Sequence, residues 1–251
     1  MSTRLPIVLA LILAGCTNSA VDGERAVIDA VEPSLRAAAA AAEAGHDYKG
    51  AAQHLGTLYQ RRGDDKGIGV ALARNLRYGG QPQAAADIIQ GQLTRFPRDP
   101  DLLIELGKDY LAADRIALAL RMLEQALAVA PERWEVHATM AVALDTLGRN
   151  SEALAAYGRA LELSPENPAI MNNLGLSQAL AGRLDDGLAT LGSAADLPTA
   201  TAQIRQNLAL LLALKGDAAQ AEKLTRNNLP PDVARANIDV MRAIAAAVKQ
   251  P

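Results

Sequence analysis

Aromatic side chains are scarce in this chain: one tryptophan, one phenylalanine and five tyrosines stand among 251 residues. With 50% hydrophobic content and only 3% aromatic, a large core has to be filled by alanine and leucine. That composition suits closely stacked helices, and no strand-type alternation is visible. One cysteine and three histidines leave little material for a metal centre or a nucleophile. His46 and His54 have no second ligand set at metal spacing nearby and read as ordinary polar residues. The acid pairs Asp64-Asp65 and Asp185-Asp186 fall at turns or repeat edges, where carboxylates favour helix starts, so no paired-acid active site is implied. Neither an enzyme nor a small-molecule substrate is expected. The formal charge is -3, and no basic cluster with interleaved aromatics appears. Nucleic acid is excluded as a partner, because phosphate neutralisation needs a positive surface.

Long apolar runs are also missing, apart from one at the amino terminus. Arg4 precedes an apolar run from Leu5 to Ala14, which closes on Leu13-Ala14-Gly15-Cys16. A membrane-crossing helix needs about 20 apolar residues, and this run has about half of that. A short, positively led apolar run ending in small residues is a secretory signal. Its end resembles the lipobox of bacterial lipoproteins, with the chain's single cysteine in the place that lipid attachment requires; the alternative is a plain signal peptide with an incidental cysteine. The resemblance implies a signal peptide over 1–15 and a mature chain starting at Cys16. That residue would carry a thioether-linked diacylglycerol and an amide-linked acyl chain, its covalent lipid being the only cofactor expected. More than one acyl chain makes anchoring stable, at about 0.8 kcal/mol per buried methylene. Loss of Arg4 leaves 24 basic against 28 acidic residues, a net charge of -4. Thr17, where an aspartate would direct retention, resembles the pattern of lipoproteins sorted to the outer membrane. Residues 16–26 are expected to be a short polar tether, reaching about 35 to 40 Å at full extension.

What the chain does have is a beat of 34 residues. Pro97, Pro131 and Pro165 keep it, as do Gly80, Asp114, Gly148, Gly182 and Gly216. The second set falls where a first helix should end and a turn begin; glycine accepts a left-handed backbone there, and aspartate is among the few residues that tolerate it. Ala85, Ala119, Ala153, Gly187 and Ala221 place a small side chain where two helices of a hairpin must approach. Leu72, Leu106, Met140, Leu174 and Leu208 supply the large apolar partner, each followed by a small residue: Ala73, Gly107, Ala141, Gly175 and Ala209. Such a period means stacked helical hairpins and a binding scaffold.

These markers together resemble the tetratricopeptide repeat, which implies an all-α solenoid of helical hairpins. Five repeats are expected over 66–233, behind a divergent helical repeat over 27–65. The latter is read around Ala44-Gly45-His46-Asp47-Tyr48, with one inserted residue. The aromatic often found at the fourth position of such repeats is replaced by Gly69, Leu103, His137, Met171 and Arg205. Trp134 reads as a packing anchor. Pro230-Pro231 stops the last hairpin, and a capping helix over 234–251 covers its apolar face.

In this architecture the first helices line a groove. Its later positions include Ala169, Asn172, Leu176, Ala179 and Leu180, then Gln203, Gln206, Leu210, Ala213 and Leu214. The leucines either receive an apolar partner segment or pack against neighbouring first helices. Asn173 and Asn207 project from equivalent points of adjacent hairpins and either pair with a peptide backbone, to which an amide offers donor and acceptor, or cap local groups. Arg205 could add a charge contact. Arg74, Arg77 and Lys108 give the earlier groove a basic tinge. The stretches Asn172-Asn173-Leu174-Gly175-Leu176-Ser177-Gln178-Ala179-Leu180-Ala181-Gly182, Arg205-Gln206-Asn207-Leu208-Ala209-Leu210 and Asn228-Leu229-Pro230-Pro231 resemble the TadD family, the tetratricopeptide lipoproteins of the tight-adherence, or Flp, pilus assembly system. That resemblance implies a pilotin-like scaffold on the periplasmic face of the outer membrane, binding the pilus secretin or another component of the system. The alternative is a general envelope lipoprotein adaptor that recruits peptidoglycan enzymes or membrane-assembly factors.

Overall fold

The computed structural model of the chain describes residues 16–228 and 230–248. The expected signal peptide over 1–15 and the last three residues of the expected cap lie outside them. Thirteen α-helices and no strand are found among the described residues. They are α1 (Cys16–Ala44), α2 (Tyr48–Arg61), α3 (Lys66–Tyr78), α4 (Pro82–Leu93), α5 (Pro100–Ala112), α6 (Ile116–Val129), α7 (Trp134–Thr146), α8 (Asn150–Leu163), α9 (Pro168–Leu180), α10 (Leu184–Asp196), α11 (Ala202–Leu214), α12 (Ala218–Asn228) and α13 (Pro231–Val248). The chain forms two compact units that meet in sequence at Ile88 and Ile89, inside α4.

The turn inside each hairpin is built the same way six times. His46, Gly80, Asp114, Gly148, Gly182 and Gly216 all have positive φ, between 57° and 87°. The amide one residue further on then reaches back to a carbonyl in the last helical turn. Asp47 donates to Ala42, Gln81 to Leu76, Arg115 to Tyr110, Arg149 to Leu144, Arg183 to Gln178 and Asp217 to Leu212, all at 2.8–2.9 Å. This is the Schellman closure, and it satisfies carbonyls that the helix end leaves open. The opening hairpin therefore has no inserted residue. Its left-handed position is His46, and 46 continues the 34-residue series. A non-glycine residue is held there because the six-residue closure needs the conformation whatever the side chain, at a cost of about 1–2 kcal/mol.

Buried positions follow the same beat. Ile68, Leu102, Val136, Ile170, Ile204 and Ile238 are at most 4% exposed, and Ala51, Ala85, Ala119, Ala153 and Ala221 are fully buried. Full burial of one of these branched side chains contributes about 2 kcal/mol. Ile238 lies on α13, so the last helix carries the first-helix register. In the α9/α10 hairpin the small series reaches its limit: a Cβ on Gly187 would sit 2.5 Å from the Gly175 carbonyl oxygen, and one on Gly175 would sit 2.8 Å from Leu191 Cγ. Trp134 is half-buried against the cluster of Ala138, Ala141, Tyr157, Ala160 and Ile170.

First helices are started by a capping side chain at the same interval. Asp65 accepts from the Ile68 amide at 3.0 Å, Asp99 from Asp101 and Leu102, Asn167 from Ala169 and Ile170, and Thr201 from Ile204. Each cap is worth about 1 kcal/mol. Arg133 occupies the third of these five positions and makes no side-chain cap. Residues 16–26, expected as a short polar tether, open α1. No proline interrupts the stretch before Pro33, so each added residue extends the helix at little cost. These eleven residues rise about 16 Å as helix.

Candidate functional site

In the second unit the first helices touch one another in order, α5 to α7, α7 to α9, α9 to α11 and α11 to α13. Between α9 and α11 the contact carries a directed chain of amides. Gln203 Nε2 donates to Asn207 Oδ1 at 3.1 Å, Asn207 Nδ2 to Asn172 Oδ1 at 2.8 Å, and Asn172 Nδ2 to Asn173 Oδ1 at 3.0 Å. Among the described residues the chain ends on the Asn173 amide group as a donor and the Gln203 carbonyl as an acceptor. A peptide unit presents the complementary pair. Asn173 and Asn207 do occupy equivalent points, yet the bond across the helices is made by Asn172. Spacing alone does not show this, because the link joins positions 35 residues apart rather than 34.

The four leucines divide evenly. Leu176 is half-buried against Leu191, Ile204 and Leu211, and Leu210 is half-buried against Ala209, Ala213, Ala221 and Met241. Leu180 is 72% exposed and its equivalent Leu214 is 36% exposed. The C-terminal ends of α9 and α11 thus each show an unburied leucine beyond the amide chain. Gln206 is half-buried. Arg205 turns away to donate from Nη1 to the Ala200 carbonyl at 3.2 Å, which closes the loop between α10 and α11. Its charge is directed to that loop.

Elsewhere along the wall the links are ionic. Arg133 Nη1 donates to Asp101 at 2.9 Å and its other edge holds Glu135 with two bonds of 3.1 Å. These bonds raise the guanidinium's already high pKa. Burial works against ionisation of Glu135, but the bonds from Arg133 and from its own backbone, with the charges of Arg133 and Lys108, hold its carboxyl below the ordinary value. Asp145 on α7 accepts from Ser177 on α9 at 2.8 Å. Burial raises its pKa, while bonds from Ser177 and Tyr157 pull the other way. The buried Tyr157 phenol is pushed up by burial and by the Asp145 charge. The basic tinge of the earlier groove is largely compensated: Arg74 meets Glu43 at 3.3 Å, Lys108 meets Glu105 at 2.6 Å, and Arg77 lies over the Tyr78 ring. Sequence reasoning missed the Asp145–Ser177–Tyr157 group. Its one signal is a 32-residue spacing, shared by Arg133 with Asp101 and Asn75 with Glu43.

Among the described residues no group of His, Cys, Asp and Glu is placed to hold a metal ion, and no helix is long and apolar enough to cross a membrane. A family model described as TPR repeat matches residues 146–182, which spans α8 and α9. A crystal structure of a thermophilic TPR protein from Thermus thermophilus is 23% identical, covering 73% of this chain and 100% of that one, with a TM-score of 0.64. One chain of the APC/C hetero-tetramer Cut9-Hcn1 is 14% identical over 88% of this chain and 45% of that one, with a TM-score of 0.66. No curated protein matches at significance. At these identities the likeness is one of fold, and the fold is the all-α tetratricopeptide-repeat fold.

Proposed function

We propose that this chain is a protein-binding scaffold, held at the periplasmic face of the outer membrane by acyl chains on Cys16. Its partner is an envelope protein, and the likeness of residues 172–182, 205–210 and 228–231 to the TadD family favours the secretin of a tight-adherence pilus. One observation carries the binding role: the amide chain from Gln203 to Asn173 ends on a donor and an acceptor, and the exposed Leu180 and Leu214 stand at the C-terminal ends of the same two helices. An extended partner backbone satisfies both ends of the chain while its apolar side chains cover the leucines. Acylation supports this by holding the wall beside the membrane, so that modest contacts suffice once the partner is concentrated there.

Two variants separate the anchor from the face. Cys16→Ala should remove metabolic labelling by a fatty-acid precursor, release the protein from membranes and abolish pilus assembly. Asn173→Ala with Asn207→Ala should leave the protein membrane-bound while weakening co-purification of the secretin by about tenfold. Unchanged secretin capture by the double variant would remove the amide chain from the account, and membrane retention of Cys16→Ala would remove the anchor.

A further inference from the structure

Three clefts recur along the side of the first helices that faces away from the amide chain. The first, of about 480 Å³, is lined by Leu161, Met171, Leu174 and Thr190 among others. The second, of about 350 Å³, includes Leu208, Leu212, Lys223 and Leu224. The third, of about 290 Å³, lies between α12 and α13 and includes Arg226, Arg235, Ile238, Asp239 and Arg242. They share a register: Leu174, Leu208 and Arg242 hold the same position on α9, α11 and α13, and Thr190 matches Leu224. On α9, Met171 and Leu174 lie about 150° around the helix axis from the centre of the set Asn172, Asn173, Leu176. Met171 and Arg205 replace the aromatic of the fourth repeat position, and Arg205 is drawn off to the Ala200 carbonyl.

The chemistry changes along the row, from mainly apolar with Glu166 at its edge, through apolar with one lysine, to cationic. In the third cleft Glu222 takes up one edge each of Arg226 and Arg242. Among the described residues Asp239 is the one acid in its lining. Among those side chains three guanidiniums therefore face two carboxylates, and the Arg235 side chain makes no hydrogen bond among the described residues. Guanidinium forks match carboxylates in pairs.

We propose that this face binds an extended partner segment of about seven residues, with apolar side chains in the first two clefts and one or two carboxylates in the third. Neighbouring helices pack about 10 Å apart, and an extended chain advances about 3.3 Å per residue. The two apolar residues are then three apart, and the acid follows three later. The charge excess of the third cleft selects this occupant over an uncharged segment or a basic one.

The test uses the full-length protein in detergent and a fluorescein-labelled peptide, Ser-Leu-Ser-Ser-Leu-Ser-Ser-Glu-Glu, followed by fluorescence anisotropy. Binding should be saturable, weaken by about tenfold when both glutamates become glutamine, and weaken as much when both leucines become serine. Arg235→Glu should abolish it, with circular dichroism confirming the helices, and the milder Arg235→Gln should weaken it. Asn173→Ala with Asn207→Ala should leave it unchanged, which keeps this face separate from the amide chain. Equal binding of the glutamine peptide, equal binding of the leucine-free peptide, or indifference to both Arg235 variants would each overturn the proposal. Loss of binding in the asparagine variant alone would also overturn it.

Discussion

The contact of α7 with α9 and the contact of α9 with α11 are laid on the same framework and joined by different chemistry. Between α7 and α9 a carboxylate is trapped: Asp145 holds Ser177 across the helices and the buried Tyr157 phenol beside them. Between α9 and α11 the link is neutral, and its amides still have a donor and an acceptor to give. A half-buried carboxylate holding the buried Ser177 and Tyr157 fixes one arrangement, since breaking it strands polar groups at about 1–3 kcal/mol. Neutral amides exchange partners at little cost. The wall is thus locked at one contact and exchangeable at the next, and the exchangeable one is where a ligand can compete.

The largest effect comes from breaking what both contacts share. Gly187→Val puts a branched side chain against the Gly175 carbonyl, which is backbone and cannot give way, so urea unfolding should show a loss of about 3 kcal/mol or more. Asp145→Ala should cost about 1–3 kcal/mol by stranding Ser177 and Tyr157. Asn207→Ala should cost less than about 1 kcal/mol, because the partners it leaves are half-exposed. If Asn207→Ala destabilises as much as Asp145→Ala, the two contacts are not different in kind.

A smaller effect sharpens the comparison through pH. Burial raises the folded pKa of Asp145 above the ordinary 3.8. The native chain then holds a proton that the unfolded chain has released, and this stabilising contribution is complete below 3.8 and lost as pH rises through the folded value. Glu135 runs the other way: its folded pKa lies below the ordinary 4.5, so its contribution is present above 4.5 and lost as pH falls through the folded value. Urea midpoints from about pH 3 to 7 should show Asp145→Asn gaining on the parent chain as pH rises, and Glu135→Gln losing ground over the same range. Parallel curves for parent and variants would contradict both assignments.

The framework was legible because a repeat states its rules several times. Glycine or aspartate at a fixed interval marks the left-handed turns, and alanine or glycine marks each close approach, so the helices from α3 to α12 could be placed from the sequence pattern alone. His46 was not legible, since the closure rather than the side chain selects its conformation. At the candidate site the residue types were readable and the connections were not. Asn172, Asn173, Gln203 and Asn207 all fall on the first-helix face, but which amide bonds which depends on the offset between neighbouring helices. The pairing of Asp145 with Ser177 depends on the same offset and leaves no motif.

The proposed partner-binding face is the exchangeable contact between α9 and α11. Its most direct test is a photo-crosslinking amino acid placed at Leu180 in living cells, with the exposed Glu124 on α6 as the control position. One dominant adduct is expected from position 180, containing the secretin, that disappears when Asn173→Ala and Asn207→Ala are added. No adduct from position 180, or the same adduct from position 124, would contradict it.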